Sequence, residues 1–427
     1  MTEPTNDDEG PLQRIVAFDQ LEVGPVRVEA NRVAAPYTVR RGGQSDAIEL
    51  GYRFEEDVFK PDAPADRNLA SMMVAQVALN YGLFCRRIVF RGWHDRADKR
   101  FIEDMTRNTA REIYVNKLLA SNPFLVGDAI NLPIEKRESY VQAELEFEDQ
   151  EEWKERDGSR EPWIGDRAKH VILSSGGKDS LLSFALLQEM GLKPEPIFVN
   201  ESGRHWFTAL NAYRYFSNQV PGTARVWTNS DRVFSWMLRH LPFVRQDFGR
   251  VRADGYPIRL WTVAVFIFGV LPLARKRGAG RLVIGDEFDT TLRMSFHGIP
   301  HYSGLYDQSR YFDAALTRYY RRKGWGISQF SVLRPCSELL IQKTLAERYP
   351  KLLEHQISCH ATHTEQERVL PCGRCEKCRR IVSMLLALEA NPARCGYNQQ
   401  QIAECLAALP EREMHQEPEG VQHLGYL

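Results

Sequence analysis

The chain has 427 residues, 43% of them hydrophobic, which is enough for two or three domains with real cores. Lys plus Arg and Asp plus Glu each number 56, so no overall basic field argues for a nucleic-acid partner. The opening MTEPTNDDEG lacks the charged-then-apolar pattern of a secretory signal. The most apolar window, Leu260 to Leu273, is too short and too flanked by Arg to span a bilayer, so a cytoplasmic protein is expected.

Along the first 165 residues, Arg14–Phe18, Val26–Val33 and Ala47–Phe54 read as strands, and residues 141–147 alternate apolar with polar. Leu69 to Cys85 reads as a buried helix and Asp95 to Leu119 as an amphipathic one. No catalytic motif is visible here. Residues 1–165 are therefore expected to form an additional N-terminal α+β domain, a partner- or substrate-docking module, joined through a charged linker over Glu148–Gly158.

From residue 166 the pattern alternates strand and helix, with strands expected at Val171–Ser174, Ile197–Asn200, Arg225–Thr228 and Leu282–Gly285. This predicts an α/β fold with a parallel sheet over 166–427, ending in helices. Loops following such strands share one crevice. The first is Ser174-Ser175-Gly176-Gly177-Lys178-Asp179-Ser180, followed by Leu181, Leu182, Ala185, Leu186 and Met190 at helical spacing. Two glycines let the backbone approach an anion, and the helix start offers free N–H groups and partial positive charge. It is no Walker A loop, because Lys178 is followed by Asp179 rather than Ser or Thr. Two basic clusters, Arg318-Arg321-Arg322-Lys323 and Arg374-Lys377-Arg379-Arg380, read as solvated helix faces.

Of the eight cysteines, Cys372, Cys375 and Cys378 stand at two-residue gaps, with Cys359 as the best fourth ligand. Four thiolates so spaced suit tetrahedral Zn²⁺ in a structural role. An iron–sulfur cluster is the alternative metal, and His360 or His363 could replace one cysteine. Cys336 reads as a core residue.

The string SGGKDS resembles the SGGxDS pyrophosphatase loop of the N-type ATP pyrophosphatases. With the cysteine cluster it resembles the QueC family, the 7-cyano-7-deazaguanine synthases. Gly203-Arg204-His205 is similar to the family's G-Q-R-H, and Gly285 to Asp289 stands where the family has G-x-x-E-T-D. Ser303 to Phe312 is similar to S-G-Y-P-D-C-R-x-x-F. The likeness covers residues 170 to about 390. It departs at Asp307-Gln308-Ser309-Arg310 for P-D-C-R, and at Pro257-Ile258-Arg259-Leu260 for P-G-R-N.

The resemblance implies a PP-loop ATPase fold that binds ATP and Mg²⁺ and adenylates the carboxylate of a 7-deazaguanine. Ser174 to Ser180 would hold ATP, with Lys178, Asp179, Arg204 and His205 in catalysis and Asp179 a candidate Mg²⁺ ligand. Asp286, Glu287, Asp289 or Asp307 would pair with the base, and Arg310 or Arg204 with carboxylate or phosphates; each acid could instead be a helix cap or a surface charge. QueC-like proteins with extra domains in the Qat and type IV CBASS anti-phage systems attach a deazaguanine to a partner protein's N-terminal amine. That likeness implies a protein-modifying ligase. A nitrile synthase using ammonia, a tRNA-modifying enzyme and a non-catalytic nucleotide-binding module stay open.

Overall fold

The computed structural model describes residues 10–149, 162–201, 203–251, 256–303, 305–359 and 361–410. The early strands are β1 (Gln20–Val23), β2 (Arg27–Glu29), β3 (Arg32–Arg41) and β4 (Gln44–Phe54). Helix α1 (Pro64–Ala75), β5 (Arg87–Gly92), α2 (Arg96–Ile113) and β6 (Glu144–Asp149) follow. The alternating part runs β7 (Asp166–Ser174), α3 (Lys178–Glu189), β8 (Glu195–Asn200), α4 (Arg204–Gln219), β9 (Ala224–Thr228), α5 (Ser230–Arg239), α6 (Val263–Lys276) and β10 (Ala279–Val283). A hairpin of β11 (Arg293–Phe296) and β12 (Ile299–Tyr302) precedes α7 (Arg310–Arg322) and β13 (Ser328–Phe330). The C-terminal part holds α8 (Glu338–Arg348), α9 (Pro350–Leu353), the pair β14 (His363–Glu365) and β15 (Arg368–Leu370), α10 (Glu376–Ala387) and α11 (Gln399–Ala407).

One mostly parallel sheet runs through the molecule in the order β13-β10-β7-β8-β9-β4-β3-β1-β5-β6, with β2 beside β3. Strands β13, β10, β7, β8 and β9 are mutually parallel. Direction reverses where β4 meets β9, with Tyr52 opposite Thr228 and Phe54 opposite Val226. Residues on both sides of position 165 share this sheet. They also share a core: Tyr37, Met73 and Phe101 lie in one buried apolar cluster with Val226, Trp261 and Phe268. Helices α3 and α4 pack with α10 over a second cluster that includes Phe184, Phe216 and Val382. Helix α6 is apolar on nearly every face, and it is buried accordingly.

The alternating strands and buried helices stand close to where the pattern predicts them, with four differences. Val26–Val33 is not one strand: the chain turns at Ala30 and Asn31, and β2 pairs back antiparallel on β3. Arg14–Phe18 is no strand; Gln13–Ile15 form a short 3-10 turn with Ile15 buried. The helix expected from Leu69 ends at Ala75 and continues as a 3-10 segment over Gln76–Tyr81. Glu148 and Asp149, expected in a linker, complete β6; Asp149 accepts from the His94 backbone N–H at 2.9 Å. Residues 150–158 of that linker lie outside the described residues.

The basic cluster at the end of α7 is not wholly a solvated face. Lys323 is fully buried and bonds to Asp95, to Asp98 at 3.0 Å and to Asn68 at 2.9 Å. Tyr319 donates to Asp98 at 2.7 Å. Asp95 and Asp98 also close a capping box at the start of α2, so one pair of carboxylates caps a helix and receives a cation. Arg379, in the second cluster, is buried as well. Replacing Lys323 by Met strands two buried carboxylates, and we expect a loss of about 3–5 kcal/mol in urea denaturation. Unchanged stability would contradict the lock.

Candidate active site and metal centre

Strand β7 ends at Ser174 beside the ends of β8 and β10, and the glycine loop follows at once. Gly176 takes φ +75, and a Cβ there would stand 2.9 Å from the Cα of Ala209 on α4, so glycine is required on both counts. Gly177 caps α3 without a side-chain bond to the first-turn N–H groups. The turn is fixed from within: Ser174 Oγ lies 3.3 Å from Ser180 Oγ, Ser180 donates to the Gly177 carbonyl at 3.1 Å, and Ser175 Oγ accepts from Gly177 N–H at 3.5 Å. The result is a helix start bare of any side-chain cap, at the strand ends where such sheets bind ligands.

Lys178 is buried, and its Nζ lies 2.7 Å from Asp179 Oδ1, 3.4 Å from Glu287 Oε2 and 3.4 Å from Glu338 Oε1. Burial works against the ammonium, but the three carboxylates outweigh it and hold its pKa above the ordinary lysine value. Burial pushes Glu287 up to about 8, with Lys178 pulling it down and Asp179 and Glu338 pushing it further up. The loop after β10 reaches this group because Gly285 lies against α3, where a Cβ would stand 2.8 Å from the Cβ of Asp179.

The other expected site residues scatter. Asp286 is buried and paired with Arg334 at 3.3 Å; Arg334 also bonds Asp313 at 2.6 Å and the Gln308 carbonyl at 2.7 Å. Burial holds Asp286 well above the usual carboxylate range. Asp307 accepts through one oxygen from the backbone N–H groups of Thr262, Val263 and Ala264 at 2.7–3.1 Å, capping α6. Asp289 accepts from Thr290 N–H at 2.7 Å in a short 3-10 turn. Arg310 is exposed over the Tyr311 ring at the start of α7. Arg204 and His205 open α4, but their side chains lie outside the described part of the structure.

Glu338, Arg334 and Arg380 were not legible as site residues. Arg380 lies 3.3 Å from Glu338, which in turn faces Lys178. Nothing in the local sequence marks them: Glu338 opens α8, Arg380 lies on α10 and Arg334 sits in the turn between β13 and α8, and packing brings them in. Burial raises the Cys336 thiol, so it lacks the thiolate character of a sulfur nucleophile.

The sulfurs of Cys359, Cys372, Cys375 and Cys378 lie within 4.8 Å of one another. Cys372 and Cys378 are 3.8 Å apart, and Cys375 is 3.7 Å from Cys359 and 3.5 Å from Cys378. A tetrahedral ion with sulfur at about 2.3 Å separates its ligands by about 3.8 Å, so the four cysteines fit one ion such as zinc. In a multi-iron cluster the ligands sit on different irons and stand further apart. Gly373, at φ +70, turns the chain between two ligands where a Cβ would meet Gln401 of α11. His363 pairs with Glu365 on the exposed β14 at 3.2 Å, and His360 lies outside the described residues.

Fold and site thus define an α/β protein with a bare glycine turn at the end of a central parallel strand and a four-cysteine centre. No family model matches the sequence, and no curated protein matches it.

Two outcomes follow from this geometry. Metal analysis should return about one zinc per chain, and Cys375→Ser should lose it and unfold at lower temperature. A metal-free wild type of full stability would contradict the centre. Glu287 titrates near 8 when folded against about 4.3 when unfolded. Its contribution to stability is therefore complete below the unfolded value and lost as pH rises through 8. The melting temperature of ligand-free protein should fall from acid to alkaline pH, and Glu287→Gln should flatten that fall.

Proposed function

We propose that the chain is an ATP-dependent, PP-loop ligase that adenylates the carboxylate of a 7-deazaguanine and transfers the acyl group to an amine. The observation that carries this reading is the glycine loop, an anion cradle of backbone N–H groups at the ends of β7, β8 and β10. Its sequence is that of an ATP pyrophosphatase loop, and the four-cysteine centre follows it in the order of the QueC-like enzymes.

The chemistry follows from the loop. A carboxylate oxygen of the acid attacks the α-phosphorus of ATP, the bond to the β-phosphate oxygen breaks, and pyrophosphate leaves. An amine then attacks the acyl carbon, AMP departs and the amine loses a proton. In this reading Lys178 and the α3 N–H groups would stabilise the charge that grows on departing pyrophosphate. Mg²⁺ needs only one or two carboxylates beside substrate phosphates, and Asp179 and Glu287 would be the residues to hold it. Bound there, the ion would act as a Lewis acid on phosphate oxygens.

We take the acceptor to be the N-terminal amine of a partner protein in anti-phage defence. This rests on the likeness to the multidomain QueC-like proteins. The raised Cys336 thiol and the balanced charge speak against a tRNA thiolase.

Pyrophosphate release from ATP should require 7-carboxy-7-deazaguanine and fall at least about a hundredfold in Asp179→Ala. Release that ignores the acid would reject the deazaguanine reading. With a companion protein present, its mass should increase at the N-terminus, and blocking that amine should abolish the increase; a nitrile formed from ammonia instead would identify a small-molecule synthase.

A further inference from the structure

Among the described residues, Arg259 is a buried cation with no ion pair. The residue is 6% exposed, and its Nε is shut off from water with no hydrogen-bond partner. Among the described residues its guanidinium makes no ion pair or hydrogen bond. The group lies 3.6 Å from the centroid of the Tyr256 ring and 4.6 Å from that of Phe234. The rings lie against the guanidinium and leave its Nε–H without an acceptor.

Its placement is enforced from the N-terminal half. Asn122 donates to the Pro257 carbonyl at 2.8 Å. Asn80 accepts from the N–H groups of Leu260 and Trp261 at 3.0 Å each and donates to the Trp261 carbonyl at 3.0 Å. Trp261 Nε1 donates to Gln76 at 3.1 Å. The segment carrying Arg259 is thus clamped on both sides by amides from outside the alternating sheet.

The surroundings are short of negative charge. Lys117, bonded through its carbonyl to the same Asn122, is close enough for Arg259 to lower its pKa further than burial does alone. The Tyr81 hydroxyl is buried without a partner and within the field of Arg259. One acid is near, Glu201; it accepts from Ser230 at 2.8 Å, and burial pushes it towards its neutral form. Glu201 follows β8 directly, and β8 pairs with the strand that ends in the glycine loop. Adjacent strands are about 4.8 Å apart, so the strand end that carries Glu201 neighbours the strand end that carries the glycine loop.

We propose that Arg259 and Lys117, with the Tyr81 hydroxyl, form an anion subsite that holds the carboxylate of the acid to be activated. The N-terminal half then completes the substrate pocket by supplying Lys117 and Tyr81 and by clamping Arg259. A guanidinium edge matches a carboxylate with two parallel hydrogen bonds, which an ammonium cannot reproduce. Only the identity of the acid rests on the function proposed above.

The test uses benzoate, a planar carboxylate, at constant ionic strength, with melting temperature as readout in wild type, Arg259→Met, Lys117→Met and Asp179→Ala. Ligand-free Arg259→Met should melt no lower than wild type, because an unpaired buried charge is removed. Benzoate should stabilise wild type and Asp179→Ala but neither of the other two. 7-Carboxy-7-deazaguanine should bind Arg259→Met at least about tenfold more weakly, with ATP affinity unchanged. No benzoate shift in wild type, an equal shift in Arg259→Met, or a loss of ATP binding with the acid unaffected would overturn the subsite. The partly exposed Lys117→Met decides the matter should Arg259→Met fail to fold. Benzoate binding through Arg259 without binding of the deazaguanine acid would sink the substrate reading and leave the subsite standing.

Discussion

The pairing of β4 with β9 is the constraint on which the rest depends. Backbone bonds join Tyr52–Phe54 to Val226–Thr228 and carry the sheet from the parallel strands into the antiparallel ones. An edge strand presents unpaired N–H and C=O groups, and β9 would be such an edge without β4. Covering it places α1, the 3-10 segment after it and α2 against α6, which would otherwise expose an apolar helix. The buried Lys323 with Asp95 and Asp98 fixes the same halves a second time, through charges whose separation would be costly.

Much of this was legible in the sequence. The strand at Val171–Ser174, the glycine turn and the helix after it announce themselves because local chemistry decides them: an apolar run, two glycines, then helical spacing. The cysteines were legible for the same reason, since ligand spacing is local. The pairing of β4 with β9 was not. Residues 44–54 show that they form a strand but not which strand they join, and register between distant segments leaves no local trace. Lys323 misled for a related cause. A basic residue at a helix end usually meets water, and only the meeting of α2 with α7 puts two carboxylates around it.

The acidic residues after β10 divide by environment. The resemblance groups them as readers of one base, but the structure gives them separate tasks: Asp307 caps α6, Asp286 joins Arg334 and Asp313, and Glu287 faces Lys178. A carboxylate committed to three backbone N–H groups has little left for a base edge. Glu287 is the one of these three that faces the loop lysine, so the site is narrower than the motif suggested. Glu338 enters from α8, far along the chain, because α3 and α8 pack together.

A buried arginine without a counter-ion weakens the ligand-free protein, so its position has to be enforced by something stronger. Here the backbone on either side of Arg259 is held by the side-chain amides of Asn80 and Asn122. Loss of either amide would leave buried backbone groups unpaired, so the cation cannot relax outward cheaply. Two amides from the N-terminal half thus hold in place a charge that belongs to the crevice of the other half. The same logic governs Lys178, whose ammonium is fixed by three carboxylates. Both cations are set in place by their surroundings ahead of any ligand, which limits what a ligand must reorganise on entering.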